Sequence, residues 1–428
     1  MTTPTVSAGA AIAAALAWLA IYLPDAGRGF IKDDFAWLLA APLAPSPWDA
    51  AWTASTGFFR PLVSLSFTAN HALFGLAPLG YGLTNLALAV ACAASIFLLA
   101  RAWGIDDRGA LAAAGIWLFT PHGMDMAVIW VSGRSALLLV LFATLACAAA
   151  ARGRPWLAGL WLAGALLSKD EAVMVPALAL LSMSAAGRLR DRRAVVTFVL
   201  LSGVLLAGYL IVRAQSGAHT PWTAPAEYRP VLSAAALAAN LAQYADRLAT
   251  FPLIVALVAW AAARARPGGI APHVLPGLAW AAVAMVPTIA LPVRSSLYTL
   301  LPLAGAALAA GAVVAALLKA SDAPRARLVA LALIAAAIAA IPLHRSRHQD
   351  WSGAARLSSR ITAEASDTLR DVPSGSTVIV ADTARPPNLE STFGTLLPEM
   401  LRVTTGKSFQ LVATPQPDSA VSLTPVAR

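Results

Sequence analysis

The sequence is poor in charge. Asp, Glu, Lys and Arg make up only 12% of its 428 residues, whereas a soluble globular chain carries about 25%. Apolar residues, in contrast, make up 59%. So little charge excludes a soluble enzyme with a fully solvated surface, and it indicates a chain that crosses a lipid bilayer many times.

Cysteine is also scarce. The two cysteines, Cys92 and Cys147, lie within apolar segments, which excludes a disulfide framework and a cysteine-rich metal site. The formal net charge of +10 is a feature that nucleic-acid-binding chains share. Here, however, most arginines stand in short clusters between apolar runs, as in the cytoplasmic turns of membrane proteins. We therefore expect the lipid bilayer, and no nucleic acid, as a partner.

Long apolar runs recur along the chain. A spanning helix needs about 20 predominantly apolar residues, and helices are expected because lipid cannot hydrogen-bond to an open backbone. The N-terminal residues lack the basic region of a cleaved signal peptide, so we expect the first run to be retained. We predict about eleven spans, at residues 8–24, 82–100, 109–121, 135–151, 155–168, 172–187, 194–212, 240–263, 274–291, 297–318 and 328–343.

The basic clusters predict the orientation, because cytoplasmic turns carry an excess of Lys and Arg. With a cytoplasmic N-terminus, every cluster falls on the cytoplasmic side. The clusters contain Arg101, Arg108, Arg152, Arg154, Arg188, Arg190, Arg192, Arg193, Arg264, Arg266, Lys319, Arg325 and Arg327. The outer face then receives residues 25–81, 122–134, 169–171 and 213–229, Arg294 and the tail. Heavy use of Ala and Arg favours a bacterial inner membrane as the location.

Two domains are predicted. Residues 1–343 form an all-α, multi-span membrane domain, with residues 25–81 as its first outer loop, and residues 344–428 form an extracytoplasmic C-terminal domain. In this tail, the segment TVIVA at 377–381 has strand composition, and a helix-like stretch follows near 393–401. This order predicts a small α/β appendage. The residues from about 415 onward are expected to be disordered.

Adjacent aspartates, Asp33 and Asp34, follow the first span in the segment FIKDDF at residues 30–35. Two like charges at a membrane boundary repel each other, which raises one pKa and keeps a base near neutral pH. The alternative is a solvated loop that ends the helix. Adjacent carboxylates also bind Mg²⁺ or Mn²⁺ in many proteins, so a divalent cation is an option here, but we assign no metal.

Two arginines on the outer face are candidates for binding phosphate. Arg60 lies between aromatic residues and a proline in the segment FFRPL, and Arg294 precedes Tyr298 in RSSLY. The planar guanidinium forms paired hydrogen bonds with phosphate oxygens. The alternative for Arg60 is an interfacial arginine whose charge extends to water beside an aromatic belt.

Three further outer segments, PHGMD, WVSGR and LSKDEA, supply polar side chains: His122, Asp125, Arg134, Lys169, Asp170 and Glu171. A charge at the bilayer centre costs about 2.5–3.5 kcal/mol, so ionisable groups near membrane depth suggest function. The alternative is an ordinary charged turn. Because all these segments fall on one face under a topology set by other residues, they favour an active site that faces outward.

The order of these motifs resembles the GT-C glycosyltransferases, in particular the TMTC-like branch of the protein O-mannosyltransferase group and its bacterial relatives. The resemblance covers about residues 20–300. It rests on the Asp pair, FRPL at 59–62, Asn70, GLAPLGY at 75–81, Asn85, WVSGR at 130–134, SKD at 168–170 and RSSLY at 294–298, with VIVAD at 378–382 in the tail. The family usually has His where Gly82 and Ala89 stand, and its His-Pro-x-His pattern is reduced here to TPHG at 120–123.

The resemblance implies a transferase that moves a sugar, mannose being one candidate, from a polyprenyl-phosphate donor to an acceptor hydroxyl on the outer face. It implies that Asp33 or Asp34 accepts the hydroxyl proton. The predicted phosphate-binding residues are Arg60, Arg134, Lys169 and Arg294, and the predicted acceptor-binding or supporting residues are Asp125, His122, Asp170, Glu171 and Tyr298. Protein, glycan and lipid all remain open as acceptors.

Two other classes compete with a transferase. A transporter or flippase of lipid-linked saccharide predicts internal repeats and helices broken at the midplane, and the sequence contains no evident inverted repeat. A membrane scaffold leaves the outer carboxylates and arginines without a purpose.

Overall fold

The computed structural model describes residues 4–43, 46–54, 56–264, 272–415 and 421–426. Its helices are α1 (Pro4–Tyr22), α2 (Asp34–Leu43), α3 (Pro47–Trp52), α4 (Pro61–Phe74), α5 (Pro78–Trp103), α6 (Asp107–Phe119), α7 (Met124–Ile129), α8 (Arg134–Ala151), α9 (Pro155–Leu166), α10 (Val175–Ala185), α11 (Arg192–Gln215), α12 (Ala234–Ala263), α13 (Val274–Met285), α14 (Leu300–Ala320), α15 (Ala323–Thr368), α16 (Leu389–Phe393) and α17 (Leu397–Thr405). Its strands are β1 (Thr377–Asp382), β2 (Gln410–Pro415) and β3 (Ser422–Pro425).

Every predicted span overlaps a helix, which confirms a helical membrane protein. Within the described residues, six helical segments are long and apolar enough to cross a bilayer: Pro78–Trp103, Val131–Ala151, Arg192–Gln215, Ala234–Ala263, Ser296–Ala320 and Ala323–Thr368. The other predicted spans fall on the shorter helices α1, α6, α9, α10 and α13. The number eleven therefore stays a prediction.

The last predicted span is the first part of α15, a helix of 46 residues. Pro342 lies inside this helix without ending it. His344, two residues further along, is fully buried and held on both sides: its Nδ1 lies 2.6 Å from the Tyr22 hydroxyl and its Nε2 2.9 Å from the Phe119 carbonyl oxygen. The domain boundary predicted between residues 343 and 344 therefore falls within a continuous helix.

Glycines allow the membrane helices to approach each other closely. A Cβ atom on Gly277 of α13 would lie 2.7 Å from the carbonyl oxygen of Gly305 in α14. Gly109 of α6 and Gly311 of α14 make a second contact of this kind, with a built Cβ on Gly311 at 2.6 Å from the Gly109 oxygen. Lipid gives no hydrophobic drive to bring helices together, so small residues at their contacts favour tight van der Waals packing.

The first outer loop is largely helical. It contains α2, α3 and α4, and α2 packs against the C-terminal appendage. The Phe35 and Phe393 rings lie 5.7 Å apart between centroids, and Leu38 and Met400 are fully buried in the same apolar core. This shared core fixes the appendage to the segment that carries the aspartate pair.

The appendage is a three-stranded sheet in the order β2-β1-β3, with β2 parallel and β3 antiparallel to β1. This confirms the predicted strand at 377–381. The predicted helix is two helices, α16 and α17, separated by a turn at Gly394 (φ +56°). The expectation of disorder from 415 is wrong for β3, because Leu423 is buried and pairs with Val380. Residues 416–420 lie outside the described residues.

Gly82 of α5 provides a test of this packing. A Cβ atom there would lie 2.0 Å from the carbonyl oxygen of Ala26, so any side chain, including the His of the resembled family, requires Ala26 to move. We expect Gly82→Ala to lower the stability by about 1–3 kcal/mol, as overpacking does. Thermal unfolding in nanodiscs measures the effect. Gly203→Ala is the control, since Gly203 of α11 faces open space. Equal melting temperatures for the two variants would contradict the close approach.

Candidate active site

Asp33 and Asp34 follow a sharp turn of the backbone, and their side chains have different environments. Lys32 adopts φ +49°, a left-handed conformation that is rare outside glycine, and α2 begins at Asp34. The Asp34 side chain is fully buried. Its Oδ1 accepts hydrogen bonds from the Ser132 backbone N–H at 2.7 Å and from the Ser132 hydroxyl at 2.5 Å, and its Oδ2 accepts one from the Ile31 N–H at 3.0 Å. Burial raises the pKa of Asp34 to about 7, although these donors oppose the shift.

Asp33 is only half-buried. Burial raises its pKa, and the positive charges of Arg60 and Lys32 lower it in part. Its carboxylate is therefore the accessible member of the pair, and it lies within the electrostatic influence of two cations.

Arg60 lies where the chain enters α4, immediately before Pro61. Its guanidinium carbon lies 4.3 Å from the centroid of the Phe58 ring, in a cation–π contact. Among the residues that the structure describes, Arg60 forms no ion pair, and its buried Nε has no hydrogen-bond partner. The side chain is thus held by an aromatic face while its donors remain available for an anionic ligand.

Lys169 and Glu171 form a buried ion pair, with Nζ and Oε1 2.7 Å apart, and the Lys169 ammonium lies 4.8 Å from the centroid of the Tyr298 ring. Burial lowers the pKa of Lys169; Glu171 opposes this shift and the Arg60 charge adds to it. The segments that carry Asp33, Arg60 and Lys169, all predicted from the sequence, thus bring their charged side chains into one region.

Tyr228 also belongs to this region and was not predicted. Its ring lies 5.3 Å from that of Phe58, and its pKa is raised by burial and by the negative charge of Asp33, while Arg60 opposes the shift. A single tyrosine in a long polar loop gave no sequence signal. We refer to the group of Asp33, Arg60, Lys169, Glu171, Tyr228 and Tyr298 as the Asp33 cluster.

The ion pair between Asp170 and Arg213 lies outside the Asp33 cluster and connects two of the segments that carry it. Asp170 Oδ1 accepts hydrogen bonds from Arg213 Nε at 2.8 Å and from the Tyr209 hydroxyl at 3.0 Å. Arg213 Nη2 also donates to the His219 carbonyl oxygen at 2.6 Å, and the His219 N–H donates to the Gly57 carbonyl oxygen at 2.9 Å. Asp170 therefore supports the site rather than facing it, and Arg213, which the sequence analysis missed, ties the Lys169 turn to the segment that leads to Arg60.

Arg134 lies in the interior, where the protein itself supplies hydrogen-bond acceptors. It is fully buried, and it donates to Asn85 Oδ1 at 3.1 Å, Asn70 Oδ1 at 2.7 Å, the Ser66 hydroxyl at 3.2 Å and the Tyr81 carbonyl oxygen at 3.2 Å. A role in binding phosphate stays a prediction, and it requires the exchange of at least one of these bonds. In this structure Arg134 joins α8 to α4 and α5.

Arg294 is exposed, and its Nε donates to Asn240 Oδ1 at 2.6 Å. Its carbonyl oxygen accepts a hydrogen bond from Arg247 Nη1 at 2.7 Å, so two arginines border this edge of the site. Arg247 was not predicted, because it lies inside an apolar helix, α12.

Asp125 and His122 form a separate group with Arg347 of α15. Arg347 Nε lies 3.7 Å from Asp125 Oδ2. Burial raises the pKa of Asp125 to about 6, and Arg347 opposes the shift. Burial lowers the pKa of His122 to about 4, and the charge of Arg347 lowers it further. These predicted acceptor-side residues therefore surround a cation from the tail helix.

The described residues contain no group of three or more His, Cys, Asp and Glu side chains with the geometry of a metal site. Cys92 and Cys147 are free and buried.

No protein-family model matches the sequence. In three dimensions the chain matches the crystal structure of ArnT from Cupriavidus metallidurans bound to undecaprenyl phosphate. The TM-score is 0.53, the match covers 94% of this chain and 86% of that chain, and the sequences are 12% identical. The chain therefore shares the fold of that protein.

A curated relative agrees with this fold. Protein O-mannosyl-transferase Tmtc1 of Drosophila melanogaster is 34% identical over 143 residues, which are 30% of this chain and 16% of that protein. This chain thus matches only a small part of the relative's length. Together, the two comparisons confirm the resemblance to GT-C and TMTC-like proteins that the motif order predicted.

The Arg213 ion pair gives a prediction. Arg213→Gln should release the segment around Gly57 and speed amide hydrogen exchange over residues 54–60 about tenfold, because hydrogen bonds to charged groups contribute about 1.5–3 kcal/mol. Exchange monitored by mass spectrometry measures this. Arg229→Gln, in the same loop, is the matched control, since Arg229 Nε donates only locally, to the Ala224 carbonyl oxygen. Identical exchange in both variants would show that Arg213 does not hold this segment.

Proposed function

We propose that the protein is an integral membrane glycosyltransferase that moves a sugar from a polyprenyl-phosphate donor to an acceptor hydroxyl at the outer face of the membrane. The observation that carries the proposal is the position of Asp33, an accessible carboxylate within the electrostatic influence of the available guanidinium of Arg60. The fold supports it, because ArnT shares that fold and was crystallised with undecaprenyl phosphate. The similarity to an O-mannosyl-transferase supports mannose as the sugar.

In this mechanism the acceptor oxygen attacks C1 of the donor sugar, and the bond between C1 and the phosphate oxygen breaks with its electron pair on the phosphate. Arg60 and Lys169 stabilise the charge that the phosphate gains, with Arg294 at the edge of the same region. The charge of Glu171 favours the protonated form of Lys169 and opposes the effect of burial on its pKa. The hydroxyl proton passes to a carboxylate.

We assign that carboxylate to Asp33 rather than Asp34. A general base must reach the proton it removes, and Asp34 is fully buried with both oxygens already hydrogen-bonded. Asp34 instead anchors the start of α2 to Ser132, which determines the direction of Asp33. The two adjacent aspartates therefore have different roles: Asp33 takes the proton, and Asp34 fixes the position of Asp33.

The outer face is inferred from the basic turns, because Arg101, Arg152, Arg190 and Arg264 all lie at the ends of helices opposite to the Asp33 cluster in the predicted topology. A polyprenyl-phosphate donor suits this location, since its isoprenoid chain remains in the bilayer while the phosphate meets the charged residues at the membrane surface. We accordingly place the protein in a bacterial inner membrane.

The two aspartates are distinguished by substitution. Asp33→Asn should lower kcat about 10²–10⁴-fold, the usual contribution of a general base, with an unchanged melting temperature. Asp34→Asn should lower the melting temperature, because an amide cannot accept from both Ile31 and Ser132 and leaves a buried donor unsatisfied, at a cost of about 1–3 kcal/mol. Release of polyprenyl phosphate from undecaprenyl-phosphate mannose measures turnover. Full turnover by Asp33→Asn would refute the assignment.

The pH profile gives an independent test. The base must be ionised, so activity is lost as the pH falls through the pKa of Asp33, which burial raises above the usual carboxyl value. Arg60→Gln removes a charge that lowers this pKa. Its acid limb should therefore move to higher pH, in addition to any loss in rate. Arg229→Gln is the control for removing an outer arginine. A shift of the limb to lower pH would contradict the proximity of Arg60 and Asp33.

A further inference from the structure

A cleft of about 550 Å³ lies between residues 32–33 and the appendage segment 386–396. Lys32 and Asp33 line one wall, and Asn388, Glu390 and Thr395 lie on the other. Asp33 therefore belongs both to this cleft and to the Asp33 cluster. A molecule in the cleft meets the proposed base from the side of the appendage.

The two walls of the cleft are held together. The Lys32 N–H donates to the Thr392 carbonyl oxygen at 2.9 Å, which joins the left-handed turn before Asp33 directly to α16. At the other end of this segment, Asn388 and Ser391 form a reciprocal capping box. These bonds give the cleft a defined shape, because neither wall can move without breaking them.

The lining is mixed, because Pro386, Phe393 and Leu396 supply apolar surface beside several polar groups. Asp33 and Glu390 supply carboxylates, Lys32 an ammonium and Thr395 a hydroxyl, and Glu390 and Thr395 are exposed. An acyl chain placed here would desolvate these groups without offering them hydrogen bonds. The cleft therefore does not suit a lipid tail.

The lining also lacks the features that bind peptides. Such sites use a free sheet edge, an apolar groove for a helix or a groove of exposed aromatics. The wall at 386–396 is a turn with the short helix α16, and the Phe393 ring is fully buried in the core. Sugar hydroxyls, in contrast, both donate and accept, so they match a mixed set of carboxylates, ammonium and hydroxyl.

We propose that this cleft binds the acceptor of the reaction and that the acceptor is a saccharide with free hydroxyls; this rests on the transferase function proposed above. One hydroxyl lies at Asp33, which takes its proton as the oxygen bonds to C1 of the donor sugar. The bond between C1 and the phosphate oxygen breaks, and polyprenyl phosphate leaves. Glu390 and Lys32 hold the neighbouring hydroxyls and orient the reacting one.

The test uses the full-length protein in nanodiscs with undecaprenyl-phosphate mannose labelled in the sugar, and a bacterial cell-envelope fraction as the acceptor probe. Label released to water and label transferred to envelope material are measured separately. Transferred label is then divided by protease digestion and by organic extraction. We expect it in the saccharide fraction that resists both treatments.

Thr395→Trp, which fills the cleft, and Glu390→Gln, which removes a carboxylate, should each lower the ratio of transfer to water release at least about tenfold, as loss of a charged hydrogen bond does. Asp371→Asn, an exposed carboxylate of the appendage outside the cleft, should keep the wild-type ratio. The Glu390 variant keeps the test valid if the Trp variant does not fold.

Other outcomes overturn the inference in distinguishable ways. Label in the protease-sensitive or organic-soluble fraction would identify a protein or lipid acceptor instead. Wild-type ratios in both cleft variants, with transfer still abolished in Asp33→Asn, would place the acceptor elsewhere while the transferase function stands. No release of label by the wild-type protein would overturn the transferase function, and this inference with it.

Discussion

The arrangement of the site depends on one buried carboxylate. Asp34 accepts hydrogen bonds from Ser132 and Ile31, and these bonds join the start of α2 to the turn before α8. Asp33 directly precedes α2, so the bonds that hold the start of this helix also limit the directions that the Asp33 side chain can take. The direction of the proposed base is thus set by a neighbour that does not take part in the reaction. If Asp34 were replaced by a group without two acceptor oxygens, some of the bonds that hold the start of α2 would be lost. Asp33 would then no longer be held in one direction.

The membrane helices were predictable because a bilayer imposes a length of about 20 apolar residues on each spanning helix. The meeting of Asp33, Arg60 and Lys169 was also predictable in outline. These residues are far apart in sequence, but the arginine clusters on the opposite face place all three segments on one side. The predicted topology therefore contributed more to the prediction that these three residues meet than any single motif did.

The supporting contacts were not predictable, because they depend on pairings that leave no periodic pattern. Arg213 lies at the end of an apolar helix, where the sequence gives no sign of a specific partner, yet it bonds to both Asp170 and His219. Arg134 was predicted to bind phosphate, whereas in the structure its guanidinium donates to neutral amide and carbonyl oxygens of the protein. The sequence does not tell whether the partner of an arginine is a ligand or the protein itself.

The helix α15 joins the membrane region to the appendage without a break. At about 1.5 Å per residue, its 46 residues extend for about 69 Å. A continuous helix resists bending, so the tilt of its membrane segment and the position of the appendage change together. Bilayers of different thickness change the tilt of spanning helices. Because the appendage supplies one wall of the cleft at Asp33, a single helix links the bilayer to the geometry of that cleft.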